Sequence, residues 1–334
     1  MCLEKEALLE VRNLKTTFKT LRGQVTAVDG VSFCVGKGEI LGIVGESGCG
    51  KSVTSQSIMR LYDEKQLVSY EGEILFEGED LLRKSSKEME HIRGMGISMV
   101  FQDALSSLNP LYSVGEQIVE MICCHKAVSK KQAWKTAENM LRLTGIPAPE
   151  ERVHAYPHEL SGGMRQRAMI AMALACEPKF FIADEPTTAL DVTIQAQIMD
   201  LIIELNQKLG MGIMLITHDL GVVTQTCQRV IIMYLGHIVE EGRVEDIFDR
   251  PLHPYTIGLI KSIPTMNTKK GEKLYMIKGT VPALSEVTKG CRFCSRCDYA
   301  TDKCRAEDPE LVAFNESQSV RCHYAGKLTR TEAV

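Results

Sequence analysis

Gly45-Glu46-Ser47-Gly48-Cys49-Gly50-Lys51-Ser52 is the most informative stretch of this sequence, because it matches the pattern G-x-x-x-x-G-K-S. The apolar run before it is typical of a buried strand, and a helical pattern follows Lys51. Glycines let the backbone curl so that N–H groups point at one anion, and a helix N-terminus adds a favourable dipole. The stretch predicts a phosphate-binding loop in which Lys51 reaches the β- and γ-phosphates and the Ser52 hydroxyl ligates Mg²⁺. The alternative is a glycine-rich turn that binds nothing.

Length and composition limit the possible classes. The chain has 334 residues, of which 44% are hydrophobic and 25% charged, enough for a sizeable core and two domains or a domain with an appendage. The longest apolar run, 168–176, is far shorter than the roughly 20 residues of a membrane span. The first residues lack the basic start and apolar region of a signal peptide, so we expect a cytosolic protein. A net charge of -4 without a long Lys/Arg block does not favour nucleic acid as a partner.

Cysteine is unusually frequent. Twelve cysteines in a chain expected in the cytosol argue against a disulfide framework and favour metal binding or packing. Seven are scattered, and most of these suit small buried packing positions. Cys49 differs, because a phosphate loop at a helix N-terminus beside Lys51 favours a reactive thiolate. The other five fall between Cys291 and Cys322, where we expect the metal site.

Three apolar runs typical of buried strands end in polar side chains: Gln102, the pair Asp184 and Glu185, and His218. The carboxyl ends of the strands in an open α/β sheet form the edge where ligands bind, so we expect these side chains to meet there. Asp184 would hold Mg²⁺ and Glu185 would orient the attacking water. Gln102 could touch Mg²⁺ or that water, and His218 the γ-phosphate.

Other segments predict the surroundings of this site. Ser161-Gly162-Gly163 precedes a long helical pattern, which indicates a second helix N-terminal anion site or an ordinary capped helix. Helical periodicity from 114 to about 144 predicts an inserted helical subdomain, at about 103–165. Short β-rich runs before residue 36 predict an antiparallel layer bordering a nucleotide base, with Phe18 as the candidate that stacks on adenine.

Together these motifs resemble the ATP-binding subunit of an ABC transporter over residues 6–262. The matching segments are the Walker A loop at 45–52, the Q-loop at Gln102, the signature motif at 160–167, Walker B at 180–185, the D-loop at 189–191 and the switch histidine at His218. The resemblance implies an α/β fold of the ABC-type P-loop NTPase class, with a mixed sheet core, an antiparallel β layer and a helical subdomain. It also implies MgATP hydrolysis in a head-to-tail dimer, where ATP lies between the phosphate loop of one subunit and Ser161-Gly162-Gly163 of the other. Gln102 and the helical insert would pass closure to transmembrane partners.

The tail resembles one subfamily more closely. Segments 250–256 and 281–282 and the cysteine cluster resemble the ATPases of oligopeptide, dipeptide and nickel importers. The resemblance implies peptide import, or import of nickel or another small solute, by a peripheral subunit on the cytoplasmic face of the cell membrane. Two different ATPase subunits usually join two membrane subunits and an external solute-binding protein. A soluble ABC-type ATPase or an exporter cassette is the alternative, although this chain has neither a long coiled-coil pattern nor a second cassette.

The residues after 262 predict a small cysteine-rich extension, 263–334. Cys291, Cys297, Cys304 and Cys322 follow the spacing C-x5-C-x6-C-x17-C. A structural zinc site usually draws on close pairs, and only Cys291 with Cys294 could supply one. We therefore predict a [4Fe-4S] cluster on the four widely spaced thiols, with zinc as the alternative. The family resemblance selects the same four residues, which leaves Cys294 as a spare thiol.

Overall fold

The structure, a computed structural model, describes residues 7–21, 23–101, 107–187, 191–264, 275–286 and 289–327. The β-strands of these ranges are β1 (Ala7–Thr20), β2 (Gly23–Gly36), β3 (Ile40–Val44), β4 (Val68–Phe76), β5 (Glu79–Asp80), β6 (Ile97–Val100), β7 (Phe180–Asp184), β8 (Gly212–Thr217), β9 (Arg229–Tyr234), β10 (His237–Arg243), β11 (Val312–Ala313) and β12 (Gln318–Val320). The α-helices are α1 (Lys51–Ile58), α2 (Ser86–Met95), α3 (Val114–His125), α4 (Lys130–Leu143), α5 (Pro149–Arg152), α6 (Gly162–Leu174), α7 (Val192–Leu209), α8 (Leu220–Thr226), α9 (Val244–Asp249), α10 (Pro254–Lys261) and α11 (Asp302–Ala306).

A mixed sheet forms the centre of the fold. Its strand order is β11-β12-β10-β9-β3-β8-β7-β6 within the described ranges. Neighbours in the run β9-β3-β8-β7-β6 pair in parallel. Neighbours in the run β11-β12-β10-β9 pair antiparallel. Strands β3, β7 and β8 are buried along their whole length, which explains why they read as continuous apolar runs rather than alternating ones. The predicted mixed α/β sheet is confirmed.

The two faces of this sheet are covered by different layers. In β3, Ile40 and Val44 join a core that includes helices α3, α4, α6 and α7. Leu41 and Ile43 point the other way and join a core with β1, β2 and β4. The second layer is an antiparallel sheet with the order β2-β1-β4-β5, as the sequence predicts. Successive side chains of a strand point to opposite faces, so one short apolar run serves both cores.

Helices α3 and α4 begin at capping boxes. Ser113 and Glu116 form the first, and Ser129 and Gln132 the second, each satisfying two backbone N–H groups that lack helical partners. The two helices pack on each other and on α6 through their apolar faces. The predicted helical subdomain starts at about 103, and residues 103–106 lie outside the described ranges. No helix of the described part is long and apolar enough to cross a membrane.

The tail contributes to the main sheet. Strand β12 pairs antiparallel with β10, and β11 pairs with β12. The Gln318 side chain donates to the carbonyls of Asp246 and Arg250, at 3.2 and 3.1 Å, which ties the strand to α9. The described end of the chain is therefore anchored to the sheet that carries the phosphate loop.

The scattered cysteines occupy several environments. Cys176 and Cys227 are buried free thiols, as expected for packing positions, and Cys49 is also buried and free. Cys123 and Cys124, at the end of α3, are exposed. Cys34 is also buried but is disulfide-bonded, unlike these free thiols.

A buried ion pair joins the two sheets. The Arg229 guanidinium donates to Glu39 Oε1 at 2.9 Å and to the Cys34 carbonyl at 3.2 Å, and both side chains of the pair are 5% exposed. Glu39 Oε2 accepts from the Gly36 N–H at 2.7 Å. The pair thus links β2, the start of β3 and β9.

We predict that Arg229→Leu lowers the free energy of unfolding by about 3–5 kcal/mol, because it leaves the Glu39 carboxylate buried without its partner. Urea unfolding followed by circular dichroism measures the change. Lys208→Ala is the control, since its pair with Glu204 is more than half exposed on both sides, and we expect a change below about 1 kcal/mol. Equal losses in the two variants would contradict a stabilising role for the buried pair.

Candidate functional site

The loop between β3 and α1 packs tightly against its neighbours. A Cβ atom on Gly45 would lie 2.3 Å from the Met233 carbonyl oxygen, closer than any real contact. Gly50 has a φ of 105°, and a Cβ there would lie 2.7 Å from the Ala27 carbonyl oxygen. Only glycine fits these positions, so strands β2 and β9 fix the path of the loop.

The side chains at the end of the loop contact the acidic end of β7. Lys51 is buried, and its Nζ donates to the Gly45 carbonyl at 2.7 Å and lies 3.9 Å from Glu185 Oε1. Ser52 Oγ donates to Asp184 Oδ1 at 3.0 Å. Two segments far apart in the sequence, both predicted to bind MgATP, therefore form one site.

Asp184 and Ser52 are suitable magnesium ligands. A carboxylate and a hydroxyl are hard oxygen donors, the kind that Mg²⁺ takes. Burial raises the pKa of Asp184 to about 6, an effect that the hydrogen bond from Ser52 opposes. A bound divalent cation favours the ionised carboxylate, so the donor set fits the ion that the sequence implies.

Glu185 and His218 meet at the same edge of the sheet. The Glu185 side chain is 14% exposed, and its Oε2 lies 3.3 Å from His218 Nδ1. Glu185 has a φ of 46°, in the left-handed region that residues other than glycine rarely adopt. Its N–H donates to the Ile216 carbonyl at 2.9 Å, which holds this backbone in place. Strained conformations of this kind are concentrated at functional sites.

The second predicted anion site is exposed. Ser161 caps α6 by accepting from the Met164 N–H at 3.3 Å, and Ser161 and Gly162 are open to solvent. Gly163 follows in the first turn and is half-buried. Asp191 caps α7 in the same way, through the Ile194 N–H at 2.9 Å. The capping that the sequence indicates is present, with the N-terminus of α6 on the surface.

The remaining predicted positions are Gln102, the D-loop and Phe18. Gln102 and residues 189–190 of the predicted D-loop lie outside the described ranges. Phe18 lies on β1 and packs edge-to-face on Tyr62, with ring centroids 4.9 Å apart. Burial and the charge of Asp184 raise the pKa of Tyr62. Adenine stacking by Phe18 stays a prediction.

The expected thiolate at Cys49 is wrong. The side chain is fully buried, and this burial raises the pKa of the thiol. Lys51 Nζ lies 4.0 Å from Sγ and favours the thiolate, but this attraction is smaller than the effect of desolvation. The sequence places a positive charge near the thiol but does not show how completely the loop encloses it.

Two contacts to the loop come from residues that the sequence did not indicate. Tyr255 Oη accepts from the Glu46 N–H at 2.8 Å. Arg296 donates to both Glu46 carboxylate oxygens, at 2.5 and 3.1 Å. Both residues lie far from the loop in the chain and belong to no periodic pattern. Tyr255 lies within the 250–256 segment of the family resemblance, and Arg296 lies next to Cys297 of the cysteine cluster, but neither position indicates a contact with the loop.

The tail thiols surround one cavity. Its lining includes aromatic and proline side chains and all five cysteines of the cluster, Cys291, Cys294, Cys297, Cys304 and Cys322. Burial raises the pKa of Cys291 to about 12 and that of Cys297 to about 11. Within the described ranges, no group of three or more His, Cys, Asp or Glu side chains has the arrangement of a metal site. The five thiols line one cavity, but no three of them are arranged to hold a single metal ion.

Comparison with known proteins covers nearly the whole chain. The family described as ABC transporter matches residues 28–188, and the family described as oligopeptide/dipeptide transporter, C-terminal region, matches residues 239–304. A probable peptide ABC transporter ATP-binding protein of Sinorhizobium fredii is 51% identical over 317 residues, 95% of each chain. The oligopeptide transport ATP-binding protein OppD of Bacillus subtilis is 52% identical over 94% of this chain and 88% of its own.

Solved structures of ABC transporter cassettes share the fold. The dimeric structure of MJ0796, a bacterial ABC transporter cassette, is 29% identical with a TM-score of 0.63, covering 71% of this chain and 98% of that one. A dimeric post-hydrolysis state of the same cassette, bound to ADP and Pi, gives the same values. The resemblance inferred from the ordered motifs is confirmed: this chain belongs to the ATP-binding proteins of ABC transporters and is an ATPase.

Proposed function

We propose that this ATPase powers the import of peptides through an ABC transporter. The observation that carries the proposal is a sequence identity of 51–52%, over 94–95% of this chain, with peptide and oligopeptide transport ATP-binding proteins. The similarity is not limited to the ATPase core, because residues 239–304 match the C-terminal region of oligopeptide/dipeptide transporters. That region follows the last ATPase motif, His218.

The working assembly contains membrane permease subunits and a dimer of ATPase cassettes. In the proposed complex, two permease subunits bind two ATPase subunits of different sequence on the cytoplasmic face of the membrane, and an external binding protein delivers the solute. Each ATP lies between the phosphate loop of one ATPase and Ser161-Gly162-Gly163 of the other. The exposed N-terminus of α6 supports this arrangement, because Ser161 and Gly162 are open to solvent, where a nucleotide bound to a partner could reach them.

Within one site, we assign roles from the contacts, and for Gln102 and Phe18 from their positions in the sequence. Ser52 and Asp184 hold Mg²⁺, with Gln102 as a further ligand, and Lys51 binds the β- and γ-phosphates. Glu185 orients the attacking water, and His218, 3.3 Å from it, contacts the γ-phosphate. Phe18 stacks on the adenine. The cation's chemical contribution is to neutralise charge that develops on the phosphoryl oxygens.

We divide the chain into an ATPase domain, 6–262, with a helical subdomain inserted at about 103–165, and an extension, 263–334. Within the extension, we propose that Cys291, Cys297, Cys304 and Cys322 bind a [4Fe-4S] cluster, with Cys294 as a spare thiol. The single cavity lined by all these cysteines supports the proposal. Such a cluster would link segments that have few large apolar side chains of their own.

Uptake by the reconstituted transporter tests the main proposal. The ATPase subunits, permeases and binding protein would be placed in proteoliposomes, and the uptake of a labelled oligopeptide and of Ni²⁺ measured with and without ATP. We expect ATP-dependent uptake of the peptide. ATP-dependent uptake of Ni²⁺ alone would contradict peptide import while leaving the ATPase assignment intact.

We predict that Glu185→Gln lowers ATP turnover by about 100- to 1,000-fold while ATP binding is kept, because the amide preserves shape but loses the carboxylate that positions water. An ATP-bound dimer should accumulate. Phosphate release and gel filtration with the matched partner subunit measure these effects, with Lys51→Ala as the variant that also weakens binding. Near-normal turnover in Glu185→Gln would rule out the assigned role.

The cluster proposal predicts iron and acid-labile sulfide in protein purified without oxygen. Single alanine substitutions at the four proposed ligands should each remove most of the iron and most of the sulfide, because each thiolate would bind one iron of the cluster. Cys294→Ala is the matched control and should retain them. Stoichiometric zinc without labile sulfide would refute the cluster and favour the zinc alternative.

A further inference from the structure

A side chain of the phosphate loop forms an ion pair with the tail. Glu46 is the second residue of the loop, and its carboxylate is held by the Arg296 guanidinium through two hydrogen bonds, of 2.5 and 3.1 Å. Arg296 is 4% exposed and Glu46 30% exposed, so water screens this pair less than a surface pair. The two residues are 250 positions apart in the chain. The pair is therefore a specific tertiary contact between the cysteine-containing segment and the nucleotide site.

The position of Glu46 gives this pair a consequence for binding. The loop receives the triphosphate of ATP, which carries several negative charges, and a carboxylate on the same loop repels it. A guanidinium that holds both carboxylate oxygens neutralises this repulsion and fixes the side chain in one orientation. Without Arg296, the loop would present an unpaired negative charge beside its anionic ligand.

Arg296 is itself held in place. Its Nε donates to the Lys278 carbonyl at 2.9 Å, and its Nη1 to Tyr234 Oη at 3.4 Å. Phe293, one turn earlier, packs on the rings of Tyr234 and Tyr255, with centroids 5.2 and 5.4 Å apart. Tyr255 also accepts from the Glu46 N–H. The backbone of Glu46 is therefore fixed by Tyr255 and its side chain by Arg296, two residues that follow β10 in the chain.

We propose that Arg296 is a positioning residue of the nucleotide site, which neutralises and orients Glu46 so that the cysteine-containing segment determines the affinity of the loop for ATP. The inference rests on ATP binding at the 45–52 loop. It is independent of whether the thiols bind a metal and of which solute the transporter moves.

The charge argument separates this role from simple packing of the tail. If Arg296 acts by neutralising Glu46, its loss is harmful only while the carboxylate is present. If Arg296 only packs the tail, its loss is equally harmful in either background. Arg296→Gln, Glu46→Gln and the double variant form a cycle that distinguishes the two roles.

The test measures the Kd of MgATP by calorimetry, and kcat and KM with the partner subunit. We expect Arg296→Gln to weaken ATP binding by about 5- to 30-fold, as for the loss of one or two kcal/mol, and to raise KM with kcat kept within about twofold. Glu46→Gln should lose less affinity than Arg296→Gln, and the double variant should regain most of the loss. Arg305→Gln is the control from the same segment, since its pair with Asp302 is exposed, and we expect ATP affinity as in the unaltered chain.

Two results would overturn the proposal: ATP affinity of Arg296→Gln equal to that of the unaltered chain, or a double variant that binds as weakly as Arg296→Gln. Thermal unfolding of each variant accompanies the binding data. If Arg296→Gln alone fails to fold, the comparison uses the double variant against Glu46→Gln, where equal affinity supports the proposal. A double variant that also fails to fold shows a packing role and overturns it.

Discussion

The register of three parallel strands, β3, β8 and β7, is the constraint on which the nucleotide site depends. Val44 at the end of β3 pairs with Thr217 of β8, and Asp184 at the end of β7 pairs with Ile216 of the same strand. The segments that follow these strands therefore start at one height on the sheet. A slip of one residue along β7 would shift both carboxylates by about 3.3 Å and exchange the faces of its side chains. The apolar strands thus set the distances between the polar groups at and just beyond their carboxyl ends.

The loop is confined from several directions. Close backbone packing fixes Gly45 and Gly50 against the neighbouring strands. Tyr255 and Arg296 hold Glu46 from the far end of the chain, and Glu185 approaches Lys51 from β7. A loop of small residues has high conformational entropy when free, so these contacts leave it close to one conformation before any anion arrives. Less of the binding free energy is then needed to order it.

Features that depend on local sequence patterns could be predicted, whereas contacts between segments far apart in the chain could not. Strands β3, β6, β7 and β8, the cap of α6 and the acidic end of β7 are predictable, because each depends on a few consecutive residues. Cys49 was misjudged because its neighbours in sequence show the charge beside the thiol but not its burial. The contact of Arg296 with Glu46 links segments without a shared pattern, and strands as short as β11 and β12 are too brief to show alternation.

The pairing of β12 with β10 also bears on the behaviour of the chain outside its assembly. An unpaired sheet edge presents a row of N–H and C=O groups on which another chain can add as a strand. Here that edge is occupied by three residues of β12 and then by two of β11, whose side chains are exposed. Strands this short offer little template for intermolecular pairing. The tail therefore protects a newly made subunit against aggregation through this edge while its partners are still absent.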